Sequence, residues 1–240
     1  MRTLIAAALI AASTSACSHE HNEDPGPVTS RNFTVGNFTE VEVAGPFDVD
    51  VRTGANPSVS ARGNQALLDK LEVEVKGDKL LIRTKNEHHW FGGWHNNRGS
   101  ADLAITVPSL RAATLAGSGD LVVDKVAGDS FEGQIAGSGN LRLGSVAVQD
   151  LKIGIAGAGD ANVGTGQARS AKYEIAGSGD VDAAGIRSED VKVSIAGSGG
   201  VKAVASGSAN VDIVGSGDVE VTGGAKCKVK KAGSGNVRCS

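Results

Sequence analysis

The feature that most constrains this chain is a short glycine motif that returns at a nearly constant interval. Ala-Gly-Ser-Gly-Asp, or a close variant of it, begins at seven positions, Ala116, Ala136, Ala156, Ala176, Ala196, Val214 and Ala232. The residue numbers of successive starts differ by 20 four times and then by 18 twice. Self-similarity at a period of this size is typical of a solenoid, in which each repeat is covered only by its neighbours.

Apolar and polar residues alternate on both sides of each motif. The position just before the motif holds Leu115, Ile135, Ile155, Ile175, Ile195 and Ile213, and the position just after it holds Leu121, Leu141, Ala161, Val181, Val201, Val219 and Val237. Alternation with a period of two predicts half-buried strands. We interpret each repeat as a strand, a tight glycine turn, a second strand and a more variable turn. The predicted fold is all-β, a right-handed parallel β-helix with coils of roughly 20 residues.

The composition fits a thin interior that lacks large rings. The 240 residues include 34 Gly but only 5 Phe, 2 Trp and 1 Tyr, and 40% of the chain is hydrophobic. Two short strands per coil leave room for Ile, Val, Leu and Ala, which explains the small number of aromatic residues. The charged fraction of 21% is too low for a disordered chain, and a net charge of -3 gives no reason to expect nucleic-acid binding.

The beginning of the chain predicts export. A positive start, an apolar run from Leu4 to Ala12 and small residues before Cys17 are typical of a signal peptide over residues 1–16. The small residues resemble a bacterial lipobox, although Thr14 stands where a large aliphatic residue is usual. Residues 17–30 would then be a lipidated Cys17 and a polar tether. The serine after the cysteine favours the outer membrane of a Gram-negative cell envelope. Cleavage by ordinary signal peptidase, and thus simple secretion, is the alternative.

Residues 31–107 keep the alternation but lack the repeat. Gly77-Asp78 separates two alternating runs and predicts a hairpin turn. We expect this part to form irregular first coils, or a β cap that shields one end of the repeat coils in residues 108–240.

Three further motifs match a known family. They are the "gFxxVxVxGpFdVdV" opening at Gly36 to Val51, the "VxVxGdkLlIrT" hairpin at Leu71 to Thr84 and the "ITVPsLxxxxLaGSGD" junction at Ile105 to Asp120. Over residues 31–240 the chain resembles the bacterial head GIN domain family, which is also labelled putative autotransporter adhesin. The resemblance implies a β-helical envelope domain, and it supplies no catalytic residues.

The last motif position forms a column of turn residues, Asp120, Asn140, Asp160, Asp180, Gly200, Asp218 and Asn236. Stacked carboxylates could bind Ca²⁺. However, the spacing of the calcium-binding nonapeptide repeat is absent, and Asp and Asn favour such turns by bonding to nearby backbone. We therefore expect a structural column without a metal.

The segment 86–100 contains the candidate contact residues His88, His89, Trp90, Phe91, Trp94 and His95. The rings could fold back over the end of the solenoid, or they could form an exposed contact surface. Binding of a transition metal by the histidines is a third alternative, with a weak signal because no cysteine accompanies them.

Three lysines, Lys152, Lys172 and Lys192, occupy equivalent outward positions on successive coils. Such a stripe could bind a polyanion. An ordinary solvated face is the favoured interpretation, because Glu174 and Asp182 lie close to the stripe and dilute its field.

The remaining cysteines predict a disulfide between Cys227 and Cys239. An exported chain meets an oxidising compartment, and lipidation of Cys17 leaves two thiols. Both cysteines stand in inward columns on opposing strands of one coil, which brings their Cα atoms within disulfide range. Two buried free thiols are the alternative.

These observations favour a non-catalytic cell-envelope lipoprotein, attached to the membrane by its lipid, whose rod makes structural or adhesive contacts with a surface glycan or an envelope protein. The sequence contains no Ser/His/Asp grouping, and its acidic residues lie in turns, so we expect neither an enzyme nor a cofactor. The alternative is a carbohydrate-binding or carbohydrate-processing β-helix that uses the aromatic and histidine residues of 86–100.

Overall fold

The computed structural model describes residues 26–85 and 101–240. Over these residues the chain is nearly all β and forms a β-solenoid of about six turns, which confirms the predicted fold class. No helix within the described residues is long and apolar enough to cross a bilayer.

The chain contains sixteen strands and one short helix within the described residues. The strands are β1 (Val28–Phe33), β2 (Glu40–Ala44), β3 (Phe47–Thr53), β4 (Ser58–Asn64), β5 (Leu71–Lys76), β6 (Lys79–Thr84), β7 (Ala101–Val107), β8 (Ala112–Gly117), β9 (Asp120–Gly137), β10 (Asn140–Gly157), β11 (Ala161–Gly177), β12 (Val181–Gly197), β13 (Gly200–Gly215), β14 (Asp218–Thr222), β15 (Lys226–Ala232) and β16 (Val237–Cys239). The helix is α1 (Gln65–Lys70).

The repeat period fixes how the coils stack. Strands β9 to β13 each run through most of one coil and pair in parallel with the next coil. Leu141 of β10 lies beside Leu121 on one side and Ala161 on the other, an offset of one full repeat in both directions. Each apolar side chain therefore meets its equivalent from the neighbouring coil, as the spacing predicts.

Each full coil has three sides, whereas the sequence interpretation assigned it two strands and two turns. In β10 the inward residues fall into three groups, Leu141 with Leu143, Val146 with Val148, and Leu151 with Ile153 and Ile155. We name these side A (140–143 in β10), side B (145–148) and side C (150–157). The stretch interpreted as a variable turn is side B, and Val126 and Val146 from it are buried. A third side adds apolar burial that two strands would not provide.

The shortening of the last repeats has a defined place in the coil. Between β12 and β13, Val181 still pairs with Val201 on side A at the longer offset of the earlier coils. On side C, Val191 pairs with Ala209 at the shorter offset of the last two repeats. The irregular register between these points lies on side B. Later coils therefore keep sides A and C intact and contract the side in between.

The part before the repeats contains both irregular coils and an antiparallel cap. Strands β2 and β3 pair in parallel with β8 and β9, and β6 and β7 add a further layer to them. Strands β1, β4 and β5 pair antiparallel instead. The β5–β6 hairpin turns at Gly77, which has a φ of 61°, as predicted. Strand β1 begins at Val28, three residues before the domain boundary that the sequence suggested.

Helix α1 (Gln65–Lys70) was not predicted from the sequence. Its Leu68 is fully buried in the hydrophobic core, and Arg31 of β1 donates a hydrogen bond of 2.7 Å to the Leu68 carbonyl and pairs with Asp69. A helix of six residues is too short to show a periodic pattern in the sequence. Its role is to cover the core between β4 and β5.

Large side chains enter the thin core where small ones make room. Phe131 and Tyr173 are among the largest fully buried side chains. Gly133 lies two residues after Phe131, and a Cβ there would come within 3.0 Å of the tips of Leu141 and Ile153. Coil volume is thus balanced residue by residue, as dense packing requires.

Candidate functional site

The glycine motif forms one corner of the coil, between side C and the next side A. Gly177 has a φ of +140°, and a Cβ at this position would lie 2.0 Å from the carbonyl oxygen of Gly157 in the preceding coil. The same carbonyl accepts a hydrogen bond of 2.9 Å from the backbone N–H of Ser178. The first glycine of the motif therefore allows both the left-handed turn and the close approach of two coils.

The turn column of Asp and Asn residues ties each coil to the next. The Oδ1 atom of Asp160 accepts a hydrogen bond of 2.9 Å from the backbone N–H of Asp180, and Asp180 Oδ1 accepts one of 2.6 Å from Gly200. Asp218 accepts the equivalent bond of 2.8 Å from Asn236. These carboxylates satisfy N–H groups that the tight corner leaves without a strand partner. Their role in this geometry is structural.

The column begins earlier than the repeat suggested. Asp48 Oδ1 accepts a hydrogen bond of 2.9 Å from the backbone N–H of Asp120, and Ala44 pairs with Ala116. Gly45-Pro46-Phe47-Asp48 therefore occupies the position of a Gly-Ser-Gly-Asp motif. The signal that could have found this copy is the glycine and aspartate three residues apart.

Asp120 is the best-connected carboxylate of the column. It accepts hydrogen bonds of 2.8 Å from Asn140 Nδ2 and 2.7 Å from Arg142 Nη1. Partial burial raises its pKa, but the hydrogen bonds from Arg142 and Asn140 outweigh that effect and hold the pKa below its usual value. Asp120 therefore stays ionised and acts as an anchor between two coils rather than as a proton donor.

A groove of about 580 Å³ runs along side A next to the turn column. One outward residue per coil lines its floor, and the four last positions are Asp182, Lys202, Glu220 and Arg238. Charges of opposite sign thus alternate along the groove. Within residues 26–85 and 101–240, no group of three or more His, Cys, Asp or Glu side chains could hold a metal ion. The arrangement suits polar surface contacts.

The lysine stripe lies on side C, where Lys152 stands beside Lys172 and Lys172 beside Lys192. Carboxylates flank the stripe. Lys152 Nζ lies 2.8 Å from Glu132, and Lys172 Nζ lies 2.8 Å from Glu174. The hydrogen bond to Glu132 raises the pKa of Lys152. These pairs neutralise much of the positive field of the stripe.

The two candidate disulfide cysteines lie at the end of the described coils. Cys227 stands beside Ala209 on side C and Cys239 beside Val221 on side A. Their sulfur atoms are 2.10 Å apart and their Cα atoms 6.5 Å apart. This geometry joins two sides of one coil across its interior.

Two groups of candidate residues lie outside the described residues. One is Cys17, and the other comprises His88, His89, Trp90, Phe91, Trp94 and His95. The second group lies in the chain between β6, which ends at Thr84, and β7, which begins at Ala101.

Solved structures from three bacteria share this fold. A structure described as a putative adhesin from Bacteroides fragilis NCTC 9343 superposes with a TM-score of 0.78 at 20% identity, covering 89% of this chain and 97% of that chain. One described as a putative lipid binding protein from Parabacteroides distasonis ATCC 8503 has a TM-score of 0.69 at 23% identity, covering 90% of this chain and 97% of that chain. One described as a putative adhesin from Parabacteroides merdae ATCC 43184 has a TM-score of 0.70 at 18% identity, covering 90% of this chain and 97% of that chain. At these identities the likeness shows the fold alone.

The sequence itself identifies the family. No curated protein matches the chain. The family described as "Putative auto-transporter adhesin, head GIN domain" matches residues 37–225. This range takes in the irregular coils, the hairpin and the repeat coils up to the turn before β15. The chain therefore belongs to the head GIN domain family.

Proposed function

We propose that this protein is a non-catalytic lipoprotein of the cell envelope, anchored through Cys17, whose solenoid makes adhesive or structural contacts. The family and two of the similar structures are described as putative adhesins, which supports a role at the cell surface. The small residues before Cys17 and the polar tether after it support the anchor.

The proposal rests mainly on the turn column, whose carboxylates form hydrogen bonds that hold neighbouring coils together. Within the described residues, the carboxylates of Asp160, Asp180 and Asp218 all accept backbone hydrogen bonds from the following coil. General acid or base catalysis needs a carboxyl group that is free to exchange a proton with a substrate. A rigid rod with an outward polar surface suits binding better than turnover.

The alternative is a carbohydrate-binding or carbohydrate-processing protein that acts through residues 86–100. The descriptions of the family and of the similar structures give it no support. A glycan array that also records hydrolysis would distinguish the two roles, because turnover of any glycan would contradict the non-catalytic proposal.

The anchor is tested by Cys17→Ala. We expect the variant to leave the membrane fraction and appear in the soluble envelope fraction or in the medium. Fractionation with an immunoblot measures this, and protease treatment of intact cells shows which face the protein occupies. A Cys17→Ala chain that stays in the membrane with unchanged mobility would show that lipid on Cys17 does not anchor it.

A further inference from the structure

Positive charge is concentrated in the final coil, residues 223–240. This segment contains five cationic side chains and no acidic ones, and the cations are Lys226, Lys228, Lys230, Lys231 and Arg238. The whole chain carries a net charge of -3, so the other residues together carry -8. The segment is therefore of opposite sign to the rest of the protein.

Four of these cations are available to a partner, and the fifth, Lys231, is held by a hydrogen bond within its own coil. All five residues are exposed, and within the described part of the chain none of them forms an ion pair. Lys226 and Lys228 stand beside the neutral Ser208 and Asn210 of the preceding coil, whereas Lys230 stands beside Asp212 and Arg238 beside Glu220. The mid-rod lysine stripe differs in that Lys152 and Lys172 form ion pairs with Glu132 and Glu174.

The charges surround the end of the rod instead of following one line. Lys226, Lys228 and Lys230 point outward at alternate positions of β15 on side C, about 7 Å apart. Arg238 lies on side A. Lys231 stands in the inward column of side C, and its ammonium donates a hydrogen bond of 2.6 Å to the Gly235 carbonyl, so it lies across the end of the coil.

The end also exposes apolar surface. Val229, which belongs to the inward column, is 44% exposed, and within the described residues β15 pairs only with β13. A linear polyanion could follow the lysine row on side C, but it would not reach Arg238 on side A at the same time. A flat anionic surface that meets the rod end-on contacts both sides and the apolar end together.

We propose that residues 223–240 form a cationic tip that contacts an anionic lipid bilayer end-on. Each Lys or Arg near an anionic bilayer strengthens binding through the negative surface potential, which decays within a Debye length. End-on contact brings the five cations closer to the headgroups than the acidic remainder of the rod. The inference depends on this coil alone and is independent of lipidation at Cys17.

The test measures vesicle binding of the exported Cys17→Ala chain recovered from the soluble fraction, so that no attached lipid contributes. The vesicles are phosphatidylcholine alone or phosphatidylcholine with about one-third phosphatidylglycerol. We expect binding to the anionic vesicles only, weakening as salt is added. In this background, the triple variant K226Q/K228Q/K230Q should lower the partition coefficient by roughly 100-fold, and the single variant K228Q by roughly five-fold.

The matched control is K152Q/K172Q/K192Q, which removes the same charge from three outward lysines on the same side of the rod. It should lose much less binding than the triple tip variant, because its lysines lie two to four coils before Lys228, about 10–19 Å at ~4.8 Å per coil. Screening weakens their attraction to the bilayer over that distance. Circular dichroism and the unfolding midpoint establish that each variant is folded. If the triple tip variant does not fold, the single variant K228Q replaces it in the vesicle-binding test.

The following results would overturn the proposal. They are equal binding to neutral and anionic vesicles, equal losses in the tip and control variants, no loss in the tip variants, and binding of soluble polyphosphate without binding of vesicles. The proposal would also be overturned if the parent chain bound no vesicles and the triple variant associated with itself. The lysines would then serve only to keep the edge strand β15 from pairing with another chain.

Discussion

Replacing one corner glycine by alanine should separate backbone strain from coil-to-coil contact. Gly177 and Gly128 have the same φ of +140°. An added Cβ at Gly177 would lie 2.0 Å from the Gly157 oxygen, whereas at Gly128 nothing lies within 4 Å. The pair Gly177→Ala and Gly128→Ala therefore shares the strain and differs in the contact.

The expected magnitudes follow from this geometry. An alanine held in a conformation that favours glycine costs about 1–3 kcal/mol of folding free energy at either site. At Gly177 the coils must also separate by about 1 Å, since real Cβ atoms essentially never come within 3.0 Å of such a neighbour. That movement breaks the Ser178 to Gly157 hydrogen bond of 2.9 Å and disturbs its neighbours. We expect Gly177→Ala to cost about 2 kcal/mol more than Gly128→Ala.

Urea unfolding followed by circular dichroism measures the difference. For a domain of this size the extra loss corresponds to an unfolding temperature about 4–8 °C lower for Gly177→Ala than for Gly128→Ala. Equal stabilities of the two variants would refute the reasoning, because strain alone would then account for the requirement for glycine. A greater loss in Gly128→Ala would refute it as well.

Three further predictions concern the disulfide, the buried tyrosine and the aromatic segment. The unfolded, unreduced chain should show no reactive thiol from Cys227 or Cys239, and replacing both by Ser should cost roughly 3 kcal/mol of unfolding free energy; two reactive thiols would contradict the pairing. Burial raises the pKa of Tyr173, so above about pH 10 the unfolded chain loses a proton that the native chain keeps, and stability should fall by about 1.4 kcal/mol per pH unit. Urea unfolding of the parent chain and of Tyr173→Phe over this pH range isolates the contribution of the tyrosine, because lysine titration is common to both. An equal loss of stability per pH unit in the two chains would argue against burial of the ring. Replacing the three aromatic residues of segment 86–100 by Ser should leave the melting temperature nearly unchanged if they form a contact surface, whereas a fall of more than about 5 °C would place them in the fold.

The register of the repeats could be predicted because every coil repeats the same local pattern. The equal spacing of the motifs requires Leu121, Leu141 and Ala161 to stack, and they do. The candidate site could be predicted only in part from the repeated pattern. The turn column was visible as a run of Asp and Asn, but its use as a hydrogen-bond ladder depends on the distance between coils, and Asp48 was missed because Pro46 and Phe47 replace the usual small residues.

The third side was missed because a change of phase resembles a turn. Inward residues alternate within each side of β10, but Leu143 and Val146 are three apart, as are Val148 and Leu151. Each such step is a corner at which the chain bends and the alternation of inward and outward residues shifts by one position. This break in alternation was interpreted as a turn, although Val146 continues to pair with the neighbouring coils.

The sequence by itself determined the solenoid, its period and the residues that stack, because these depend on patterns repeated along the chain. Only the tertiary structure decided the number of sides per coil, the place of the shortening on side B and the helix α1 over the core. Each of these depends on how segments distant in the chain fill one closed cross-section. That packing is cooperative, so no single repeat contains it.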